Sequence, residues 1–327
     1  MIICRTPLRI SLLGGGTDIP AYYEEFGGEI ISLAIKKYTY ITIHPKYGEG
    51  FRISYSKTEN VSRVVDIEHT LIRNTLVKSQ QTFPLEITSI AEVPSKGTGL
   101  GSSSSFTVGL LNALTHFSNS PMSRSDLAES AWRIESQSTS SGIGKQDQYA
   151  VVNGGLNRFE FCQNGEVRLK NFGLSADFQA TLLNSLFIVD TGISRLAGTI
   201  LASQLKDLIS SNRSISARHT IKAFVERGAV ALQQNDLESF AGIISETWNQ
   251  KKLFGNVSND EIDQIYQYGL THGAIGGKLL GAGGGGFFLF IVPQSCRLHF
   301  LESMSRVKLH VLSVELDTEG TSIVYRS

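Results

Sequence analysis

The sequence predicts an α+β protein of two domains. Strand-like segments dominate the first half of the chain, amphipathic helical segments dominate much of the second, and neither half shows the regular strand-helix alternation of a doubly wound parallel sheet. The length of 327 residues is enough for two domains of ordinary size. We place the boundary near residue 170, where polar residues interrupt the pattern. This predicts an N-terminal domain of residues 1–170 and a C-terminal domain of residues 171–327.

Strand-like segments follow one another early in the chain. Tyr38–His44, Phe51–Tyr55 and Leu85–Val93 are rich in β-branched and aromatic residues and are bounded by Gly, Pro or polar residues. Helical periodicity first appears after them, in the apolar residues Phe106, Leu110, Leu111, Leu114 and Phe117. We expect a second helix over Ser125–Glu135 and a further strand over Leu156–Phe161. The first half therefore mixes strands and helices without a repeating unit.

The second half of the chain places helices between two strand-like regions. A buried-strand pattern occupies Leu186–Asp190. The helical segments that follow have the apolar faces Leu196/Ile200/Leu205/Leu208, Ile221/Phe224/Val225/Leu232, Leu237/Phe240/Ile244/Trp248 and, in a shorter one, Ile262/Ile265/Leu270. Strand patterns return at Phe287–Val292 and in residues 310–316 and 321–327, with a helix predicted over Leu298–Met304. These patterns predict a second α+β unit.

Composition excludes several classes of partner. Lys plus Arg equals Asp plus Glu at 30 each, so no overall field draws the chain to nucleic acid or to an anionic membrane. Arg5 and Arg9 interrupt the apolar runs near the N-terminus, which fall short of the ~20 residues of a membrane span. Cys4, Cys162 and Cys296 are odd in number and far apart, which favours a reducing compartment over a disulfide framework. We expect a cytoplasmic protein that acts on a small molecule.

A Gly/Ser-rich segment, Pro94–Ser105, is the strongest functional motif. It lies between a predicted strand and an amphipathic helix. Its glycines allow the backbone to approach a ligand closely, and the unpaired N–H groups of a helix start attract phosphate. The hydroxyls of Ser102–Ser105 include candidates for ligating Mg²⁺. A flexible connector would not explain why the segment adjoins a helix start so closely.

Two other nucleotide-binding motifs do not fit the sequence. A Walker A loop requires Ser or Thr after Gly-Lys, whereas Leu279 follows Gly277 and Lys278. The glycine runs Gly14–Gly16 and Gly281–Gly286 lack the strand-helix-strand context and the downstream acid of a dinucleotide fold. The Gly/Ser segment therefore remains the best phosphate-binding candidate.

Three segments together resemble the GHMP kinase superfamily, in the family's order. They are PLRISLLGGGTD (Pro7–Asp18), PSKGTGLGSSSS (Pro94–Ser105) and GGKLLGAGGGGFF (Gly276–Phe288), and their span covers nearly the whole chain. The resemblance implies a domain like domain 2 of ribosomal protein S5, then a ferredoxin-like domain, with the active site in the cleft between them. It also implies ATP and Mg²⁺ as cofactors. The ATP-binding residues it implies are Pro94, Lys96, Gly97, Gly99, Leu100, Gly101, Ser102, Ser103 and Ser104.

The resemblance also assigns roles in phosphoryl transfer, which mainly requires positioning and charge neutralisation. Ser103 and Glu135 match the family's metal ligands, and Ser102 competes with Ser103 because the serine run shifts the alignment by one residue. Asp147 is similar to the family's catalytic aspartate. Arg9 stands where several relatives carry a lysine paired with that aspartate, and its planar fork should orient Asp147 or a phosphoryl oxygen.

Further residues are expected to hold the substrate. Asp18 matches the position at which sugar-specific members bind hydroxyls, although an Asx-turn role after three glycines fits it as well. The other substrate-binding candidates are Gly15, Gly16, Thr17, Lys145, Arg195, Gly283 and Gly284. Lys145 and Arg195 are the candidates for a second anion pocket, with Lys96 and Lys278 as alternates.

Within the superfamily, four segments are most like bacterial D-glycero-D-manno-heptose 7-phosphate kinases. They are GGGTDIPAYYEEFGG, GIGKQDQYA, TGISR and KLLGAGGGGFF. This implies a sugar-phosphate substrate, phosphorylation of its anomeric hydroxyl to a 1,7-bisphosphate, and a place in making nucleotide-activated heptose for surface polysaccharide. An L-fucose-type or other free-sugar 1-kinase is the alternative, and a non-catalytic small-molecule sensor is the alternative of another class. A homodimer is compatible with the resemblance.

Overall fold

The computed structural model describes residues 1–81, 83–93, 97–138, 142–171, 173–193, 202, 211–255 and 257–327. The strands are β1 (Ile2–Leu13), β2 (Gly28–Pro45), β3 (Phe51–Ser54), β4 (Thr58–Val61), β5 (Leu85–Ala91), β6 (Leu156–Phe161), β7 (Val167–Asn171), β8 (Leu186–Asp190), β9 (Gly276–Leu279), β10 (Phe287–Ile291), β11 (Val311–Ser313) and β12 (Ser322–Arg326). The helices are α1 (Pro20–Phe26), α2 (Thr70–Lys78), α3 (Ser102–Phe117), α4 (Arg124–Ser138), α5 (Gln146–Asn153), α6 (Ala176–Ser185), α7 (Asn212–Gln233), α8 (Leu237–Lys251), α9 (Asp260–Thr271) and α10 (Arg297–Arg306).

Two long strands organise the first sheet. Strands β1 and β2 pair antiparallel, and β5 pairs antiparallel with the second half of β2 and parallel with β3. The order along the sheet is β12-β1-β2-β5-β3-β4, with β6 and β7 paired beside the first part of β2. The last strand, β12, thus joins the sheet formed by the start of the chain. The long strands carry the loops that reach the functional site.

Strand β1 is almost continuously buried. Its sequence therefore lacks the alternation of apolar and polar residues that identifies a half-buried strand. From Thr6 to Leu13 every residue is buried. Side chains from both faces of β1 are covered because α3 packs against it and because Leu8, Ile10 and Leu12 share a core with the second sheet. Pro7 is tolerated because the β1–β2 register shifts between Pro7 and Leu8.

The second sheet has the order β11-β8-β10-β9 with antiparallel pairing. If β8, β9, β10 and β11 are numbered 1 to 4 in chain order, the order across the sheet is 4-1-3-2. Helices α7 to α9 connect its first two strands and α10 connects its last two. Aromatic residues fill the core beside it, with Tyr266 stacked on Phe288 and Phe290 at 5.8 and 6.3 Å between ring centroids.

Two sheets are present, and most predicted segments fall within an observed element, although β12, predicted within the second unit, belongs to the first sheet. The predicted α+β fold class is confirmed, since β8–α–β9–β10–α10–β11 in this order is the ferredoxin-like arrangement. The boundary near residue 170 stays a prediction. The helix predicted from Leu196 to Leu208 lies outside the described residues. In the part of the chain that the structure describes, no helix combines the length and apolar character needed to cross a membrane.

Candidate active site

A groove lies where the two sheets meet, and it collects loops from both halves of the chain. One wall, which we call the N wall, comes from β1, the loop after it, the Gly/Ser loop, the end of α4 and the starts of α3 and α5. The opposite wall, the C wall, comes from α7, α8, β9 and the glycine loop after β9. The groove-lining residues used below are Arg9, Ser11, Gly15, Gly16, Asp18, Gly99, Ser103, Glu135, Gln146, Asp147, Thr247, Lys251, Lys278 and Gly281.

The two walls touch through glycine backbone. Gly99 and Gly281 both have positive φ, 74° and 64°. A Cβ on Gly281 would lie 2.3 Å from the Cα of Gly99, closer than any side chain allows. Phe287 N also donates to Thr98 O at 3.2 Å. The absence of side chains therefore lets the Gly/Ser loop and the second glycine loop pack directly against each other.

The Gly/Ser loop delivers a helix N-terminus to the groove. Gly101 is the N-cap of α3 in the left-handed region, with φ 74°. The N–H groups of the first turn of a helix have no intrahelical acceptor and carry the positive end of the helix dipole. Ser102 Oγ is 3.1 Å from Thr98 Oγ1, whereas Ser103 is exposed to the groove. Pro94 and Lys96 lie outside the described residues, and Gly97, Leu100 and Ser104 belong to the loop and helix start.

Glu135 is a buried carboxylate beside this helix start. It lies near the end of α4, is 2 % exposed, and accepts hydrogen bonds from Ser103 Oγ at 3.2 Å and Ser104 Oγ at 3.1 Å. Its other oxygen, Oε1, is buried with no hydrogen-bond partner among the described residues. Burial, reinforced by the charge of Asp147, raises the pKa of Glu135 to about 7. A buried carboxylate with a free lone pair is suited to a cation.

The chemistry of this corner fits a magnesium ion shared with phosphate. The described residues contain no group of three or more His, Cys, Asp or Glu side chains that would hold a metal by itself. Mg²⁺ typically takes one or two carboxylates and completes its shell with water and substrate phosphates. Glu135 and the groove-facing hydroxyl of Ser103 provide such a partial oxygen set. In this geometry Ser103 is the better ligand than Ser102, whose hydroxyl already pairs with Thr98.

Arg9 and Asp147 form a two-pronged ion pair at the centre of the N wall. Arg9 Nε lies 2.7 Å from Asp147 Oδ1, and Arg9 Nη2 lies 2.6 Å from Oδ2. Arg9 Nη1 also donates to Gly99 O at 2.6 Å, which ties the pair to the Gly/Ser loop. Arg9 is almost fully buried, while the Asp147 side chain keeps 23 % exposure toward the groove. The fork therefore fixes the direction of a carboxylate that a ligand can still reach.

Helix α5 carries Asp147 in its first turn. Asp18, in the loop after β1, caps that turn. Asp18 accepts hydrogen bonds from Gln146 N and Gly16 N, both at 3.1 Å. Gly144 must be glycine, because a Cβ there would lie 1.9 Å from Asp18 Oδ2. Burial, with a smaller contribution from Asp147, raises the pKa of Asp18 to about 6. Asp18 thus serves as a turn and helix cap, and it also borders the groove.

Several substrate-binding candidates lie elsewhere. Lys145 Nζ turns away from the groove to Glu129 Oε2 at 2.9 Å and Gly165 O at 3.0 Å. Thr17 is fully buried and donates to Gly14 O at 2.8 Å, so it shapes the loop after β1. Gly283 and Gly284 pack on Val257, and the groove is lined by Gly281 and Ala282 instead. Of the remaining candidates, Gly15 and Gly16 border the groove, and Arg195 lies outside the described residues.

The C wall contributes two lysines that the sequence motifs did not predict as main site residues. Lys251, at the end of α8, was not predicted, and Lys278 on β9 was only an alternate. Both are buried and line the groove. Ser11 and Gln146 also line it and each has a buried oxygen without a hydrogen-bond partner in the described part of the chain. No sequence signal marks Lys251, since it ends an ordinary amphipathic helix; Lys278 at least stands inside a glycine-rich motif.

Comparison with known proteins agrees with the geometry. Residues 64–155 match the family described as "GHMP kinases N terminal domain", and residues 229–298 match "GHMP kinases C terminal". The chain is 32% identical to D-glycero-alpha-D-manno-heptose 7-phosphate kinase of Campylobacter jejuni, over 97% of this chain and 96% of that protein. It is 27% identical to the bifunctional fucokinase/GDP-fucose pyrophosphorylase of Arabidopsis thaliana, over 88% of this chain but 30% of that protein.

Solved structures show the same fold. A D-glycero-D-manno-heptose 1-phosphate kinase from Bacteroides thetaiotaomicron superimposes with a TM-score of 0.81 at 25% identity, covering 100% of both chains. The galactokinase of Lactococcus lactis superimposes with a TM-score of 0.77 at 16% identity, covering 98% of this chain and 94% of that one. Fold and groove are those of a small-molecule kinase. The chain belongs to the GHMP kinase family, which confirms the predicted superfamily, fold and ATP-dependent kinase class.

Proposed function

We propose that the protein transfers the γ-phosphoryl group of ATP to the anomeric hydroxyl of a sugar phosphate, with D-glycero-D-manno-heptose 7-phosphate as the acceptor and the 1,7-bisphosphate as the product. The observation that carries this proposal is the Arg9–Asp147 pair, which holds a reachable carboxylate beside a phosphate-binding helix start. Such a product would feed the synthesis of nucleotide-activated heptose for surface polysaccharide.

The Gly/Ser loop is proposed to bind the triphosphate. The first turn of α3 aims backbone N–H groups into the groove, where they would take β- and γ-phosphate oxygens. Ser103 and Glu135 would hold Mg²⁺ there. When bound, the ion neutralises charge that develops on the transferring phosphate. Ionised Glu135 is favoured by the ion, which offsets the burial that raises its pKa.

Asp147 is proposed to take the proton of the attacking hydroxyl. The carboxylate is fixed by two hydrogen bonds from Arg9, so little freedom is lost when a substrate docks against it. An anomeric hydroxyl is more acidic than an ordinary alcohol, which eases proton transfer to a carboxylate. Arg9 keeps its own proton and acts by orientation and charge. Asp18 lies on the same wall, and its carboxylate would accept sugar hydroxyls.

The choice of sugar rests on relatives. The 32% identity to the Campylobacter jejuni heptose 7-phosphate kinase extends over nearly the full length of both chains, whereas the fucokinase match covers less than a third of the plant protein. The names of the two heptose relatives place the substrate phosphate differently, at carbon 7 in one and at carbon 1 in the other. Product analysis must therefore accompany any rate measurement.

The test is a steady-state comparison of acceptors with Mg·ATP. We expect kcat/KM for heptose 7-phosphate to exceed that for unphosphorylated heptose and L-fucose by on the order of 100-fold or more, because a site built for a phosphate rejects an analogue lacking it. Phosphorus NMR should show a new signal from an anomeric phosphate. Activity on free sugars alone would favour the fucokinase-type alternative. Binding of sugar phosphate without any ATP consumption would favour a sensor.

A further inference from the structure

Two buried lysines on the C wall have no role in the chemistry described so far. Lys251 is 8% exposed and Lys278 is 3% exposed, and both line the groove. Lys251 Nζ donates to Leu279 O at 3.2 Å and to Gly281 O. Lys278 Nζ donates to Ser11 O at 2.9 Å and to Leu12 O at 3.0 Å. Main-chain carbonyls thus hold the Nζ atoms of both lysines in fixed positions in the groove.

Neither lysine has an acidic partner. Within the described residues, Asp and Glu side chains lie within 4.0 Å of many lysines and arginines, but of neither Lys251 nor Lys278. The nearby Arg9 gives its fork to Asp147 and adds a further positive charge beside both lysines. Burial, and to a smaller extent repulsion from Arg9, lowers the pKa of Lys251 to about 7. Burial, together with repulsion from Lys251 and Arg9, also lowers the pKa of Lys278. Buried ammonium groups without a counter-ion are costly, and an arriving anion removes that cost.

We propose that Lys251 and Lys278 form a phosphate-binding subsite in the groove. The ligand class is a phosphoryl dianion, which would raise the pKa of both lysines and so favour their charged forms. Two sources would supply it: the substrate's own phosphate, or the phosphoryl group in transfer from ATP. The proposal deepens the proposed function and rests on it for the identity of the ligand.

The position of the subsite supports an anion in the groove. Lys251 donates to the glycine loop at Gly281, and Arg9 donates to Gly99, which packs against Gly281. The cations therefore converge from both sides on the point where the walls meet. Thr247, one helical turn before Lys251, faces the same groove. The hydrogen bonds from the two lysines to main-chain carbonyls could serve the fold alone. The test must therefore separate the effect of the lysine charge from the effect of these hydrogen bonds.

The test uses Lys251→Gln and Lys278→Gln, which keep a hydrogen-bond donor for the carbonyls and remove the charge. Lys252→Gln is the matched control, because Lys252 follows Lys251 directly but lies beside Asp263 with 33% side-chain exposure. Kinetics are measured with heptose 7-phosphate and with unphosphorylated heptose. If the substrate's own phosphate is the ligand, KM rises about 10- to 100-fold for the phosphorylated acceptor alone. If the transferred phosphoryl group is the ligand, kcat falls by a similar factor with both acceptors.

A second measurement does not depend on turnover. Inorganic phosphate should raise the thermal midpoint of the wild-type protein and of Lys252→Gln, relative to chloride at equal ionic strength, and should raise it less in the two groove variants. This result would stand even if heptose 7-phosphate is not the acceptor. Equal stabilisation of all four proteins by phosphate, or unchanged kcat and KM in both groove variants, would overturn the subsite. Should a variant fail to fold, the absence of any phosphate effect on the wild-type protein would overturn it as well.

Discussion

The two walls of the groove hold their charged groups in different ways. On the N wall, Asp147 is held by a side-chain fork and Asp18 and Glu135 by backbone N–H groups or hydroxyls near helix starts. On the C wall, Lys251 and Lys278 are held by main-chain carbonyls alone. The three carboxylates and the two buried lysines line the same groove. Under the proposed function, the N wall would supply metal and base chemistry and the C wall would neutralise the charge of an anion.

The largest effect is expected on the N wall from Asp147→Asn. The amide keeps the shape of the carboxylate but cannot accept a proton, so kcat should fall by on the order of 10²- to 10⁴-fold. The affinity for Mg·ATP should change by less than about 3-fold, since the Gly/Ser loop and Glu135 are untouched. Steady-state kinetics and equilibrium nucleotide binding provide the two measurements.

Asp177→Asn is the matched control, because Asp177 also lies in the first turn of a helix, α6, but far along the chain from the groove residues. It should leave kcat unchanged. Wild-type turnover in Asp147→Asn would show that this aspartate is not the base. It would also contradict the proposal that the N wall supplies the base chemistry.

The motifs marked more of the residues that line the N wall than of those that line the C wall, for physical reasons. Asp147, Glu135 and Ser103 stand in or near local motifs, and a motif fixes a loop and the helix that follows it. Lys145 has the same proximity in sequence, yet the first turn of α5 directs it to Glu129, because consecutive side chains on a helix point in different directions. The helical state of α5 itself was missed, since eight residues give little periodic signal.

The C wall depends on tertiary packing that a single segment does not encode. Lys251 looks like a solvated helix end, and only the packing of α8 on β9 buries it against the glycine loop. Strand β1 was missed for a similar reason: two covered faces remove the alternation that identifies a strand. Motifs could predict the fold class and the presence of Asp147 in the groove, whereas the burial that lowers the pKa of these lysines could not be predicted from them.

The buried carboxylate of Asp18 on the N wall should make the stability of the protein depend on pH. The pKa of Asp18 is raised from 3.8 to about 6, so its protonated form stabilises the fold at low pH, and that contribution is lost as pH rises through 6. Asparagine does not titrate. The free energy of unfolding of Asp18→Asn, relative to wild type, should therefore increase by about 2 kcal/mol between pH 4 and pH 8. Urea denaturation of both proteins at the two pH values measures this difference.

Asp236→Asn is the control for that result. Asp236 is the half-buried N-cap of α8, and its hydrogen bonds with Ser239 lower its pKa from 3.8, so its contribution to stability is present above pH 4 and is lost only as pH falls further. The stability of this variant relative to wild type should therefore change little between pH 4 and pH 8. A parallel change in the two variants would show that burial is not what perturbs Asp18.

The smallest effect is expected where the walls touch. Gly281→Ala would place a Cβ 2.3 Å from Gly99 Cα, whereas Gly48→Ala meets no atom within 4 Å at a comparable positive φ of 84°. Both variants carry the backbone cost of alanine in the left-handed region, so their difference isolates the contact between the loops. We expect Gly281→Ala to lower the free energy of unfolding by about 1–3 kcal/mol more than Gly48→Ala, and to raise KM for nucleotide because the Gly/Ser loop must shift. Equal stability losses in urea titrations would mean that the two walls are not held together at this point, and that the spacing between carboxylates and lysines is set elsewhere in the fold.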